Sequence, residues 1–159
     1  MVRLYAQSLK GSRVRGQKPN KRGKNVSIVG VISVNEVLTS VNLIGPSDEI
    51  IFEAFIIRKL VPKLWKSAYV VMDNCSIHIA KEVEKAIKKK GGKSIYLSPY
   101  SPDFSPIENL WSKLKTILRS LKTTNYQELG KAIEFAFSQV TSENLLNWFA
   151  HCCYCTSSI

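Results

Sequence analysis

The sequence predicts an α/β fold, a mixed sheet flanked by helices, and three observations carry that expectation. Short apolar runs at residues 26–34 and 68–72 have the length and the Val, Ile and Tyr content of covered strands. Stretches with helical periodicity alternate with them, at 50–60, 80–90, 105–121 and 125–140. The run 68–72 stops at Asp73 and Asn74, and in open α/β sheets ligands gather at the carboxyl ends of such strands.

In chain order, residues 10–24 carry seven positive charges and no negative one, and Gly11, Gly16, Pro19 and Gly23 argue against a helix there. A solvated loop explains that stretch, and so does a loop that neutralises nucleic-acid phosphates. The strand at 26–34 is apolar at nearly every position, as expected when both faces are covered. Asn35-Glu36 turns the chain and 37–44 returns as its hairpin partner. Ser47 is the expected cap of the next helix, with Asp48 and Glu49 at its positive end. That helix, at 50–60, is expected to be mostly buried and to end or kink at Pro62.

After the strand at 68–72, residues 80–90 form a surface helix closing in lysines, and Gly91-Gly92 stops it. A short strand at 93–97 leads to a loop framed by three prolines. Ser105 caps the next helix, Pro106 suits its first position, and Glu108 falls in its first turn. On that helix Ile107, Leu110, Leu114, Ile117, Leu118 and Leu121 face the core with Trp111 at the border. Glu108, Ser112, Lys115 and Arg119 make the opposite stripe, one carboxylate followed by two cations. Asn125 caps a helix whose core stripe runs through Leu129, Ala132, Ile133, Ala136, Phe137 and Val140. Thr141 or Ser142 starts a final one carrying Leu145, Leu146, Trp148 and Phe149.

Composition narrows the function classes. A chain of 159 residues with 45% apolar content can bury a core as one domain. Its 23 Lys and Arg against 12 Asp and Glu, a net +11, favour a polyanionic partner, most simply nucleic acid. The residues after Tyr5 are polar and basic, so no secretory signal is expected, and no stretch reaches the ~20 apolar residues of a membrane span. Cys75, Cys152, Cys153 and Cys155 do not make a disulfide framework, which fits a reducing cytosol. His151 with those last three cysteines lacks the spacers of a structural zinc site.

Read singly, the key acids have plain explanations. Asp73-Asn74 suits a turn after a strand, and Ser105 with Glu108 suits a capping box. His78 suits either a polar contact at the next helix start or a phosphate contact, and Asp103 suits a turn.

The segments VVMDN, with His78 five residues after Asp73, and LSPYSPDFSPIENLWSKLK resemble the second and third acidic motifs of mariner-superfamily transposases, in the bacterial insertion-sequence branch. Thirty-four residues separate Asp73 from Glu108, matching that family. The resemblance implies a ribonuclease H-like, retroviral integrase-like fold over residues 1–159, with 125–159 its C-terminal helical part. It implies two Mg²⁺ or Mn²⁺ ions held by three acids, of which Asp73 and Glu108 are the second and third. Lys10, Arg13, Arg15, Lys18, Lys21, Arg22, Lys24, His78, Lys115 and Arg119 become candidate DNA contacts. The family's first acid precedes a segment like that at residues 2–30, yet the first Asp or Glu here is Glu36. The chain is therefore expected to be a truncated catalytic domain without its first strand, inactive alone. Its expected partners are transposon-end and target DNA, a second copy in a homodimer, and an upstream segment supplying the first Asp and the DNA-recognition part. The expected location is the bacterial cytoplasm, with the nucleoid. The rival expectation is a basic, non-catalytic DNA-binding remnant.

Overall fold

The computed structural model describes residues 10–11, 23–75, 80–99 and 101–154. Strand β1, Val26–Ile32, pairs antiparallel with β2, Val37–Ile44, across the turn at Ser33–Glu36, with a bulge at Val31/Ile32. Strand β3, Tyr69–Met72, pairs in parallel with β4, Lys93–Tyr96, through the helix α2, Lys81–Lys89. Among the described residues, the mixed sheet therefore stands as two halves, β1-β2 and β3-β4.

Helix α1, Glu49–Phe55, widens into a π turn, Ile56–Leu60, and tightens into a 3-10 turn, Val61–Lys63, at Pro62. Its cap is Asp48 rather than the expected Ser47: the Ile51 N–H donates to Asp48 Oδ1 at 2.9 Å. A carboxylate beside the positive helix end does this better than a hydroxyl. Phe52, Phe55, Ile56 and Leu60 are buried, whereas Ile50 and Ile57 face outward. Helix α2 has no side-chain cap, buries Val83 and Ile87, and leaves its lysines in solvent. Gly91, at φ +87, then makes the left-handed turn that ends it.

Helix α3, Pro106–Leu121, packs on α4, Tyr126–Ser138, and α5, Ser142–His151. Asn125 caps α4 by accepting from the Glu128 N–H, and Glu128 in turn accepts from the Thr124 N–H and hydroxyl. These bonds hold the Glu128 carboxyl below its ordinary range, the Thr124 backbone bond contributing most. Thr141 caps α5 in a capping box closed by Asn144. Lys113 Nζ donates to the Gln139 carbonyl at 2.6 Å and to Asn144 Oδ1, tying the end of α4 and the start of α5 to α3.

Two apolar cores result. One gathers α1, β3 and α2 around Leu60, Val83 and Ile87; the other gathers α3 and α4 around Leu110, Leu114 and Ile133. Strand β1 lies between them. Val29 and Val31 pack on the first core, while Val26, Ile28 and Ile32 pack on the second, as the period of two requires. Both its faces thus meet a core and are partly buried, as its near-continuous apolar run predicts.

Strand β3 departs from the buried strand its sequence suggests. Val70 and Met72 are buried, but Tyr69 is 60% and Val71 37% exposed. Helix α3 lies over β1, with Trp111 Cη2 just 3.1 Å from where a Cβ on Gly30 would stand, while the Lys93 ammonium lies 5.6 Å from the centre of the Tyr69 ring. Leu121, expected in the core, is also exposed, at the end of its helix.

Candidate active site

Asp73 directly follows the last residue of β3, at the carboxyl end of the parallel pair, and the Leu97 N–H extends that pairing to the Met72 carbonyl at 2.9 Å. Glu108 reaches the same region from the other direction. A 3-10 turn, Pro102–Phe104, delivers the chain to Ser105, Pro106 is buried at the start of α3, and Glu108 follows in the first turn, exposed. Both acids border one cavity of about 610 Å³ that runs between β1 and β3 and is walled by α1 and α3. Two residues with thirty-four others between them in the chain therefore open onto one space.

The expected capping box does not form. Ser105 caps α3 by backbone geometry alone, with no side-chain hydrogen bond. Glu108 is thus left for a role other than capping. Two exposed carboxylates offer only hard oxygen donors, which suits Mg²⁺ or Mn²⁺ rather than a soft metal. Among the described residues, no group of three or more His, Cys, Asp or Glu side chains is arranged to hold a metal.

Ser112, Lys115 and Arg119 are exposed on the Glu108 side of α3, as the stripe predicts. At about 1.5 Å per residue, Lys115 lies roughly 10 Å and Arg119 roughly 16 Å along the axis from Glu108, and neither borders the cavity. Lys10 and Lys24 are exposed, and the Lys24 carbonyl accepts from the Tyr126 hydroxyl at 3.2 Å, which anchors the end of the basic stretch to α4. Arg13, Arg15, Lys18, Lys21, Arg22, His78 and Cys155 lie outside the described residues.

Several residues that hold the site are not singled out by the sequence pattern. The Tyr154 hydroxyl donates to the Phe104 carbonyl at 3.0 Å, and its ring meets Phe149 edge-on at 5.7 Å. The end of the described chain thereby braces the turn that precedes Glu108. Asn109 Nδ2 reaches Cys152 Sγ at 3.9 Å, a second tie to the same segment. Gly30 gives a signal after the fact, since a glycine inside an apolar strand marks a close approach, here of Trp111.

Residues 1–130 match the family model described as DDE superfamily endonuclease. The chain belongs to that family. This DDE-family chain also shares its fold with solved transposase structures. It aligns with the Mos1 strand transfer complex at TM-score 0.73 and 18% identity, covering 92% of this chain and 45% of the other. The Mos1 paired-end complex with the left transposon end aligns at TM-score 0.74 and 18% identity, over 92% and 46%. The catalytic domain of Mos1 mariner transposase aligns at TM-score 0.66 and 16% identity, over 80% and 68%. The fold is therefore the ribonuclease H-like one that the motif resemblance implies. The chain spans about half the length of the full Mos1 chains it matches. No curated protein matches it. No helix among the described residues is long and apolar enough to cross a membrane.

Proposed function

We propose that this chain is the catalytic domain of a mariner-type transposase of the bacterial insertion-sequence branch, with Asp73 and Glu108 as two of its three metal-holding acids. One observation carries the reading: in a DDE-family chain, these two carboxylates at the motif spacing open onto a single cavity. The solved Mos1 complexes with transposon DNA, with Mn and with Mg support it by likeness of fold.

Divalent ions, two in the complete enzyme, would stabilise the attacking and leaving oxygens of DNA cleavage and strand transfer. Asp73 and Glu108 supply the oxygen donors, and the buried start of α3 fixes Glu108 in place. Mg²⁺ is commonly held by one or two carboxylates together with substrate phosphates, so this pair suits it. Lys115, Arg119, His78 and the cations of residues 10–24 steady the phosphate backbone, giving salt-dependent affinity. Transposon-end and target DNA are the proposed partners, with a second copy of the chain alongside, in the cytoplasm with the nucleoid. Among the described residues, Asp73 and Glu108 are the acids that border the cavity, and the chain alone is expected to bind DNA without cutting it.

Incubation of the purified chain with supercoiled plasmid and Mg²⁺ or Mn²⁺ tests this reading. The expected result is no nicking, together with a weak Mn²⁺ affinity that Asp73→Asn and Glu108→Gln each remove. Mg²⁺-dependent nicking abolished by Asp73→Ala would overturn the inactivity, and Mn²⁺ binding indifferent to both substitutions would overturn the metal site. The net charge of +11 favours a second reading, a basic DNA-binding module without chemistry. It expects DNA affinity that is salt-sensitive and unchanged by divalent metal or by either substitution.

A further inference from the structure

We propose that Trp65 and the lysines around it form a binding site for single-stranded DNA, at the end of the β3–β4 pair away from Asp73 and Glu108. This site goes beyond the metal reading above and does not depend on it.

Trp65 precedes β3 and Asp73 follows it, so the four residues of that strand, about 13 Å at ~3.3 Å each, lie between them. The indole is 55% exposed, although tryptophan is highly buried on average. It borders a second cavity, of about 400 Å³, together with Leu38, Lys63 and the turn at Ser33–Glu36. Lys63 Nζ donates to the Leu38 carbonyl, which holds its ammonium at the same cavity.

The next residues bring more cations to this end. Ser67, at φ +66, donates its N–H to the Gly91 carbonyl at 2.9 Å, and the Lys93 N–H donates to the Ala68 carbonyl at 2.8 Å. The loop carrying Trp65 and Lys66 therefore lies against the end of α2, with Lys66 Cγ 3.5 Å from where a Cβ on Gly91 would stand. Lys88, Lys89 and Lys90 are exposed at that end of α2. Lys93 Nζ faces the Tyr69 ring, which is itself 60% exposed. Glu82 and Glu84 lie at the opposite end of α2, and Glu36 is the carboxylate that borders the second cavity.

Lysines that close a helix complement its dipole, which explains their sign but not an uncovered indole beside them. Lysines alone would also serve any polyanion. A duplex keeps its base faces stacked inside, whereas a single strand offers them to an aromatic side chain while its phosphates run over cations. An exposed tryptophan flanked by lysines is that combination, and the cavity beside the indole leaves room for a base.

The probes are an oligothymidylate of ~15 nucleotides, an abasic twin with the same phosphates, and a duplex of the same length. Each is titrated into the 159-residue chain in EDTA, so the outcome is independent of any metal at Asp73 and Glu108. The oligothymidylate is expected to bind about tenfold tighter than its abasic twin, as for one stacked base. Trp65→Ala should remove that advantage and Trp65→Tyr should keep most of it, with duplex affinity unchanged in both. Lys66→Ala should make the log–log salt slope of oligothymidylate binding shallower by about 0.7, whereas Lys131→Ala, at an exposed position of α4, should not.

Equal affinity for the oligothymidylate and its abasic twin overturns the site. So does a folded Trp65→Ala chain that keeps the advantage, or one that loses duplex affinity to the same degree, which would make this a surface for duplex backbone. Trp65-dependent binding to phosphatidylserine vesicles without the oligothymidylate preference would make it a lipid surface and overturns it as well. If Trp65→Ala does not fold, tryptophan fluorescence of the unaltered chain decides: quenching by the oligothymidylate and not by the abasic twin upholds the site, and equal quenching overturns it. Loss of the Mn²⁺ site with base stacking intact overturns the metal reading and spares this one.

Discussion

Replacing Leu110 by Ala measures how firmly Glu108 is held, because Leu110 is the first fully buried leucine of α3 after Glu108. It is 0% exposed, and its neighbours in the second core include Ala132, Ile133 and Ala136 of α4. Truncation removes three carbons at about 0.8 kcal/mol each, about 2.4 kcal/mol of transfer free energy. The neighbours lie on two helices tied together by Lys113, so the space collapses only in part, and the cavity raises the cost to about 3–4 kcal/mol. Leu121 sits on the same helix with the same chemistry but is 43% exposed, so Leu121→Ala is expected to cost roughly 0.5 kcal/mol or less. Urea unfolding followed by tryptophan fluorescence gives both values. With an unchanged denaturant slope, Leu110→Ala should lower the midpoint far more than Leu121→Ala. Equal costs for the two would refute the placement of α3, and with it the position of Glu108 on the cavity.

Tyr96, at the end of β4, provides a check on the other half-sheet: burial first, and then a hydrogen bond with Glu84, push its phenol up to about 12. The folded state therefore keeps this proton to a higher pH than the unfolded chain does, so the stability it contributes is whole below pH 10 and is lost as the pH rises to about 12. An ultraviolet titration should show a late tyrosine near that value; Tyr96→Phe should delete it, and Glu84→Gln should move it down. Asn125→Ala removes the cap of α4 and should cost about 1 kcal/mol in thermal or urea unfolding. No loss at all would mean that Glu128 and Thr124 hold that end without it.

Much of this protein was legible in its residues, because local signals suffice for it. Glycine and proline marked the stops at Gly91 and Pro62, and Asn125 and Thr141 marked helix starts. The near-continuous apolar run of β1 foretold a strand that meets a core on both faces. The motif around Asp73 and Glu108 carried the family. Errors fell where a signal has two readings. Ser47 and Asp48 are both good caps, and only the geometry selected the acid. Ser105 and Glu108 spell a capping box, yet the Ser105 side chain makes no cap bond.

Tertiary structure alone decided what covers what. The sequences of β1 and β3 both read as apolar strands, and only the packing, through the close approach of Trp111 at Gly30, sets α3 against β1. The placement of Tyr154 under the turn before Glu108 likewise depends on contacts fifty residues apart, which no local pattern encodes. Residue identities thus set the chemistry of the two acids and the ends of each element. Whether those acids share a space, and the shape of the cavity beside them, followed from packing between elements remote in the chain.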